Sequence, residues 1–478
     1  MMQQDADKPG CKVLLVAIEP AILETMSLLA RAMAADQRLQ PIILIRSTEN
    51  KGKARELCGP GIEIFCIDQV PWPAKSDSLS MPAWAVWLWA LLRRMKIRGR
   101  FVHRWIHILE IMNDLSRHRL RARQILAQIN PQALLVGDDR RAGFLAAILK
   151  EAKIRKCFIL LVCYAVSHCR DELVPTRDGH PGFDLNAPRD RFLKKWIARR
   201  LPLQVFMSQA GPYLFYQAHP TMALHFMMML SEDPWCVGGG LSDKVALTGE
   251  GDLQRYIKGG MDPSKLAVVG QPSLDTLFDS AREKDKLTEK LNLGYGFDSQ
   301  KKLLICAVPQ LAEHHVFDWE THWKEMDFLV NSLAGTGLNV LLSLHPKSQP
   351  EAYLKFEEKP NVRVAFEPLS TILPAGDIFV ATFSSTVRWA VLLGIPTLVV
   401  DFYGFDYSVY DSLGGVKIVS NREKLSPALH NLAIDQVYYQ NQVEQALKTA
   451  PEVAPFDGLA RQRIIDLVWQ QVGHKGGA

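Results

Sequence analysis

Short, unbroken apolar runs recur along the chain, separated by stretches with helical spacing. KVLLVAI (12–18), PIILI (41–45), IEIFCI (62–67), ALLVG (133–137) and CFILLVCYAV (157–166) are brief and rich in Val, Ile and Leu. Such runs predict strands covered on both faces, as in a parallel sheet. AILETMSLLARAMA (21–34) and RAGFLAAILKEAKI (141–154) place apolar residues every three or four positions and predict helices between strands. The rhythm restarts with KLAVVG (265–270), KKLLICAV (301–308), NVLLSL (339–344), VRVAF (362–366), DIFVAT (377–382) and PTLVVD (396–401). Strand and helix in alternation imply right-handed βαβ units. The expected fold is therefore α/β, with two doubly wound domains. The N-terminal domain is expected over 1–280 and the C-terminal domain, ending in a helix, over 300–478. The charged stretch SAREKDKLTEKLNLGYG (280–296) falls in the helical connector expected at 281–299.

One segment departs from this rhythm. Residues 81–125 hold Trp84, Trp87, Trp89 and Trp105, and ten basic residues from Arg93 to Arg123 against Glu110 and Asp114 alone. A second patch, RFLKKWIARRLPL (191–203), mixes basic and apolar residues around Trp196. Aromatic and basic helices of this kind suit an anionic membrane surface; the plainer alternative is a solvated face packed on the first domain. The most apolar stretch, MPAWAVWLWALL (81–92), is too short to span a bilayer. The N-terminus lacks the form of a signal peptide, since acidic residues precede its short apolar run. The expected location is cytoplasmic, with peripheral contact at the inner face of the cell membrane.

The totals add three limits. A formal charge of +5 on 478 residues gives no polyelectrolyte signal, and no nucleic-acid partner is expected. The eight cysteines are scattered with no C-x-x-C pair, which reads as buried, reduced thiols. No P-loop, no G-x-G-x-x-G after the first strand, no D-x-D run and no metal-ligand spacing occurs, so neither a cofactor nor a bound metal is expected. Gly238-Gly239-Gly240 follows no clear strand and reads as a flexible loop.

Doubly wound sheets bind ligands at the carboxyl ends of their strands, so the residues that follow each strand are the candidates. NVLLSL ends in His345-Pro346-Lys347, where imidazole and ammonium groups can meet a phosphate. DIFVAT ends in Phe383 and then Ser384-Ser385-Thr386, hydroxyl residues at a strand-to-helix turn that leave backbone N–H groups for an anion or simply cap the helix. VRVAF leads to Glu367, which can accept from ribose hydroxyls or cap the helix after it. In the first half, ALLVG ends in Asp138-Asp139, two carboxylates that can act as a general base or pair with Arg140 and Arg141. CFILLVCYAV ends near His168, a rival base. The Ser167-His168-Cys169 tripeptide is no catalytic triad, because its members do not face one another.

The run DKVALTGEGDLQRYIKGGMDPSKLAVVGQPSLDTLF (243–278), together with SLHPKSQ and FEPLSTILPAGDIFVATFSSTVRWAVLLGIPTLVVDF (366–402), resembles bacterial GT-B glycosyltransferase-like proteins. The pairing of His-Pro with Ser-Ser looks most like sialyltransferases, capsule Kdo transferases and CDP-glycerol polymerases, and more distantly like UDP-N-acetylglucosamine 2-epimerases. The resemblance implies two Rossmann-like domains facing a cleft. It implies His345, with Ser384, Ser385 and Thr386, at the phosphate of a CMP-, CDP- or UDP-linked sugar, and Gly270-Gln271-Pro272 in the substrate region. It implies a base at Asp138, Asp139 or His168 and a glycan, glycolipid or glycoprotein acceptor at the cell surface. Three departures stand out: Arg140 follows the acidic pair where relatives have glycine, Cys169 follows His168, and Val387-Arg388-Trp389 occupies the place of a ribose-holding glutamate. An epimerase or hydrolase, or a non-catalytic part of a glycan-assembly complex, are the competing expectations.

Overall fold

The computed structural model describes residues 10–72, 83–94, 100–164, 170, 173–174, 177, 179–313, 316–345, 348–404 and 410–473. The chain forms two compact units. The first comprises residues 1–247, 252–269 and 461–478, and the second 248–251 and 270–460.

The first unit is built on strands β1 (Cys11–Ala17), β2 (Leu39–Ile45), β3 (Glu63–Cys66), β4 (Ala133–Val136) and β5 (Phe158–Val162). A hairpin of β6 (Val205–Ser208) and β7 (Gly211–Leu214) stands apart, and β8 (Lys244–Leu247) and β9 (Leu266–Val268) complete the sheet. The order is β3-β2-β1-β4-β5-β8-β9, all parallel. Alternation along a strand sends successive side chains to opposite faces. Leu14, Val16, Leu134 and Val136 thus enter one core with the Arg100–Ile129 helix. Val13, Leu15, Ala133 and Leu135 enter the other, under the Pro20–Asp36 helix. That second core also receives Ile464, Ile465, Val468 and Val472 of the Ala460–Val472 helix. The C-terminal helix thus packs in the first unit, although the sequence rhythm groups it with the second half.

The second unit holds β10 (Leu303–Ala307), β11 (Asn339–Ser343), β12 (Val362–Ala365), β13 (Ile378–Ala381), β14 (Thr397–Val400) and β15 (Val416–Val419). Their order is β12-β11-β10-β13-β14-β15, again all parallel. Leu303 and Ile305 face one core, and Leu304 and Cys306 the other. In each unit the order reverses beside the first strand, between β1 and β4 and between β10 and β13. Those two reversals are the topological switch points of doubly wound sheets, where loops diverge and a crevice opens. The stretch 280–296 is not a lone connector: it contains the end of one helix, Pro272–Arg282, and the helix Lys284–Tyr295, both in the second unit.

Candidate functional site

At the switch point of the first unit, Asp138 follows β4 and Glu19 follows β1. Both line a small cavity with Gly137 and Tyr164. Gly137 lets these side chains close in: a Cβ there would lie 2.0 Å from Ile22 Cδ1 and 3.0 Å from the Tyr164 ring, so both would have to shift. The Asp138 side chain is 20% exposed and takes Arg140 Nε–H at 3.1 Å and the Arg140 backbone N–H at 2.8 Å. Arg141 lies 3.7 Å from Asp138 and also pairs with Glu19. The Tyr216 hydroxyl donates to the Arg140 carbonyl, and burial raises the phenol above its usual range.

Asp139 points elsewhere. Its carboxylate is buried and accepts Gly238 N–H at 2.9 Å, Gly240 N–H at 3.0 Å, Ser242 N–H at 3.4 Å and the Ser242 hydroxyl at 2.9 Å. The three glycines are therefore a packed cradle and not the flexible loop their sequence suggests. A Cβ on Gly240 would fall 2.7 Å from the Asp139 carbonyl oxygen, and one on Gly239 2.1 Å from that of Asp233. Burial, with the neighbouring Asp138 charge, pushes the Asp139 pKa up, while the Gly238 and Gly240 N–H groups and the Ser242 hydroxyl pull the other way. With both oxygens engaged inside the protein, Asp139 serves the loop. His168 lies outside the described residues.

In the second unit, His345 is exposed two residues beyond β11, and Ser384-Ser385-Thr386 follows β13. These strands lie on either side of β10. The His345 carbonyl accepts Ser348 N–H at 2.9 Å, and the Ser348 hydroxyl donates to Glu313 Oε1 at 3.0 Å. Beside this turn a cavity of about 280 Å³ is lined by Glu313, Trp319, Trp323, Ser348 and Tyr353. Glu313 Oε2 is buried without a hydrogen-bond partner among the described residues. Pro346 and Lys347 lie outside the described residues.

The Ser-Ser-Thr turn is more occupied than the sequence implies. Ser384 Oγ and Thr386 Oγ1 are 2.6 Å apart, and Thr386 N–H reaches Ser384 Oγ. Val387, Arg388 and Trp389 N–H groups bond back to Ser384, Ser385 and Thr386 carbonyls, because the helix Val387–Leu392 opens with tight turns. Tyr410 pins the turn by accepting Ser384 N–H at 3.1 Å and donating to its carbonyl at 2.9 Å. What this turn presents outward is chiefly the exposed Ser385.

Three nominated residues have a local structural role. Glu367 neither caps the next helix nor stands open: it accepts the Tyr295 hydroxyl, whose pKa is pushed up to about 12 by burial and by that carboxylate. Gly270 adopts φ +91°, and a Cβ there would lie 2.8 Å from Ala460 Cβ. Gln271 is the N-cap position of the Pro272–Arg282 helix. Asp275, in the same motif, accepts Ala460 N–H at 2.9 Å. The G-x-P-x-x-D pattern thus docks the segment at 460 against the start of this helix. The sequence reading missed Glu19, Gly137, Tyr164, Glu313 and Tyr353. Glu19 did carry a signal, since it follows the first strand directly.

No protein-family model matches the chain, and no curated protein matches it in sequence. Solved structures do match its fold. A UDP-GlcNAc 2-epimerase from Neisseria meningitidis, bound to UDP-GlcNAc, aligns with a TM-score of 0.54 at 13% identity, over 96% of this chain and all of its own. The glycotransferase of kitacinnamycin aligns at 0.54 and 12%, over 97% of this chain and 100% of its own. The wall teichoic acid polymerase TagF, soaked with CDPG, aligns at 0.51 and 14%, over 100% of this chain and 92% of its own. The chain therefore has the fold of GT-B glycosyltransferases and UDP-GlcNAc 2-epimerases, two Rossmann-like domains in one polypeptide.

Proposed function

We propose that the protein is a glycosyltransferase that moves a sugar from a nucleotide-activated donor to a surface glycan, glycolipid or glycoprotein. One observation carries the reading. The Ser384–Thr386 turn follows β13, at the switch point where doubly wound sheets take nucleotides, and His345 follows β11, one strand away on the other side of β10. Two similarly folded proteins, an epimerase bound to UDP-GlcNAc and TagF soaked with CDPG, point to the same ligand class.

In this reading the acceptor hydroxyl oxygen attacks the anomeric carbon. The bond from that carbon to the phosphate oxygen breaks, and its electron pair leaves with the nucleotide. His345 and Ser385 stabilise the charge that grows on the phosphate. Asp138 takes the hydroxyl proton, since Asp139 is engaged by the glycine cradle. The sequence has no D-x-D run, and the reaction is proposed to proceed without a divalent metal. A second reading, an epimerase or hydrolase of nucleotide sugars, draws on Glu19 and Asp138 lining one cavity.

Calorimetric titration with CMP, CDP and UDP tests the donor site. One nucleotide is expected to bind, and His345→Ala to weaken it about tenfold, the loss of one charge-assisted hydrogen bond. A folded protein that binds none of the three would overturn the transferase reading.

A further inference from the structure

We infer that one helical face of the first unit docks on an anionic lipid surface. In the helix Ala83–Arg94, Ala85 is buried, while Ala83, Val86, Trp87 and Ala90 are exposed. Their spacing puts these four on one side, so the helix turns an apolar face to solvent. Trp87 is 66% exposed.

Ring contacts tie this helix to two neighbouring helices. Trp84 packs edge-on against Phe226, with centroids 5.1 Å apart. Phe226 ends the Ala218–Phe226 helix, and the adjoining His225 meets Trp196 at 5.8 Å. Trp196 lies in the Arg191–Arg200 helix, where Phe192, Lys195 and Arg199 form one exposed stripe. Phe192 is 71% exposed, and Met228, just past the middle helix, 68%. Trp87, Phe192 and Met228 are thus exposed on or just past helices that these ring contacts hold together, which gathers large apolar side chains in one region of the first unit.

Charge selects the occupant. Neither the Ala83–Arg94 nor the Arg191–Arg200 helix contains an acidic residue. Lys194 is buried and bonded to the Pro181 and Asp184 carbonyls, which leaves Arg191, Lys195, Arg199 and Arg200 at the surface. A second copy of the chain meeting this face symmetrically would set base against base. An anionic bilayer satisfies both halves: its headgroups take the bases, and its interface accepts Trp and Phe side chains. No helix among the described residues is long and apolar enough to cross a membrane, so the contact lies in the interface.

The inference does not rest on the transferase reading. The test is co-sedimentation of the full chain with phosphatidylglycerol–phosphatidylcholine vesicles and with phosphatidylcholine alone. Binding is expected only with the anionic lipid and is expected to fall in high salt. Lys195→Glu with Arg199→Glu should lower partitioning by about tenfold or more, since each basic residue near the surface is worth about fivefold. Trp87→Ala and Phe192→Ala, with circular dichroism as the folding control, should each weaken binding several-fold. No binding to either vesicle, equal binding to both, or a dimer in solution that Trp87→Ala dissolves would overturn it.

Discussion

Asp138 and Asp139 are adjacent, yet the turn after β4 gives them different surroundings. Asp139 gathers three backbone N–H groups and a hydroxyl from residues 238–242, whereas Asp138 keeps a fifth of its side chain exposed beside two arginines. Asp139→Ala leaves those buried donors without an acceptor and should cost about 2–4 kcal/mol in a urea titration. An unchanged midpoint would mean that the loop does not depend on this carboxylate. His322 allows a second prediction. It is fully buried, Nε2 lies 3.1 Å from the Tyr353 hydroxyl, and Nδ1 has no hydrogen-bond partner among the described residues. Burial holds its pKa below the ordinary 6.5. For a base whose folded value is depressed, the stabilising contribution is complete above the unfolded value and is lost as pH falls through the folded one. His118 and His219 shift the same way, so the readout is a difference. The stability of wild type relative to His322→Asn should decline as pH drops below about 6.5, and a constant difference would refute it.

Contacts between elements explain where glycine is required and where it is not. Gly249 lies against the end of the Gln436–Val453 helix, where a Cβ would sit 2.0 Å from the Val453 carbonyl oxygen. Because that neighbour is backbone, Gly249→Ala should destabilise by about 3 kcal/mol. Gly294, in the Lys284–Tyr295 helix, has nothing within 4 Å of such a Cβ. Gly294→Ala should instead gain up to about 1 kcal/mol. A thermal melt of each variant should show opposite shifts. The strands of both sheets were largely legible, because a strand buried on both faces is a continuous apolar run. Those missed were VKIV of β15, an edge strand with exposed Lys417, the half-exposed β6–β7 hairpin, and β8, whose four-residue run KVAL is buried but too short to stand out. Amphipathicity shows that ARQRIIDLVWQQV buries one face, but not which core receives it. Candidate residues at strand ends were legible for a similar reason, since His345 and Ser384 directly follow apolar runs. The Glu313–Ser348 bond and the Asp139–glycine cradle were not, because they join residues 35 and about 100 positions apart.

At the scale of the whole chain, the same strand order appears twice, and the reversal in each unit is flanked by different chemistry. The first has carboxylates at Glu19 and Asp138 with Arg141 between them; the second has a hydroxyl turn, with an imidazole one strand away. Under the proposed function these are separable duties, deprotonating the acceptor and holding the nucleotide. Asp138→Asn keeps the size of the side chain and a hydrogen-bond acceptor for Arg140 but removes the basic oxygen. Transfer from the nucleotide sugar to the acceptor should therefore slow by about 100-fold or more. The nucleotide Kd from calorimetry should stay within about twofold, since the second unit is untouched. His345→Ala should show the converse first, a weaker Kd. A chelator should leave the wild-type rate unchanged if the phosphate charge is met by protein donors alone. Should Asp138→Asn weaken nucleotide binding and catalysis together, the division of duties fails. If it abolishes turnover that needs no acceptor, the epimerase or hydrolase reading takes its place, with Glu19 as the second carboxylate to replace.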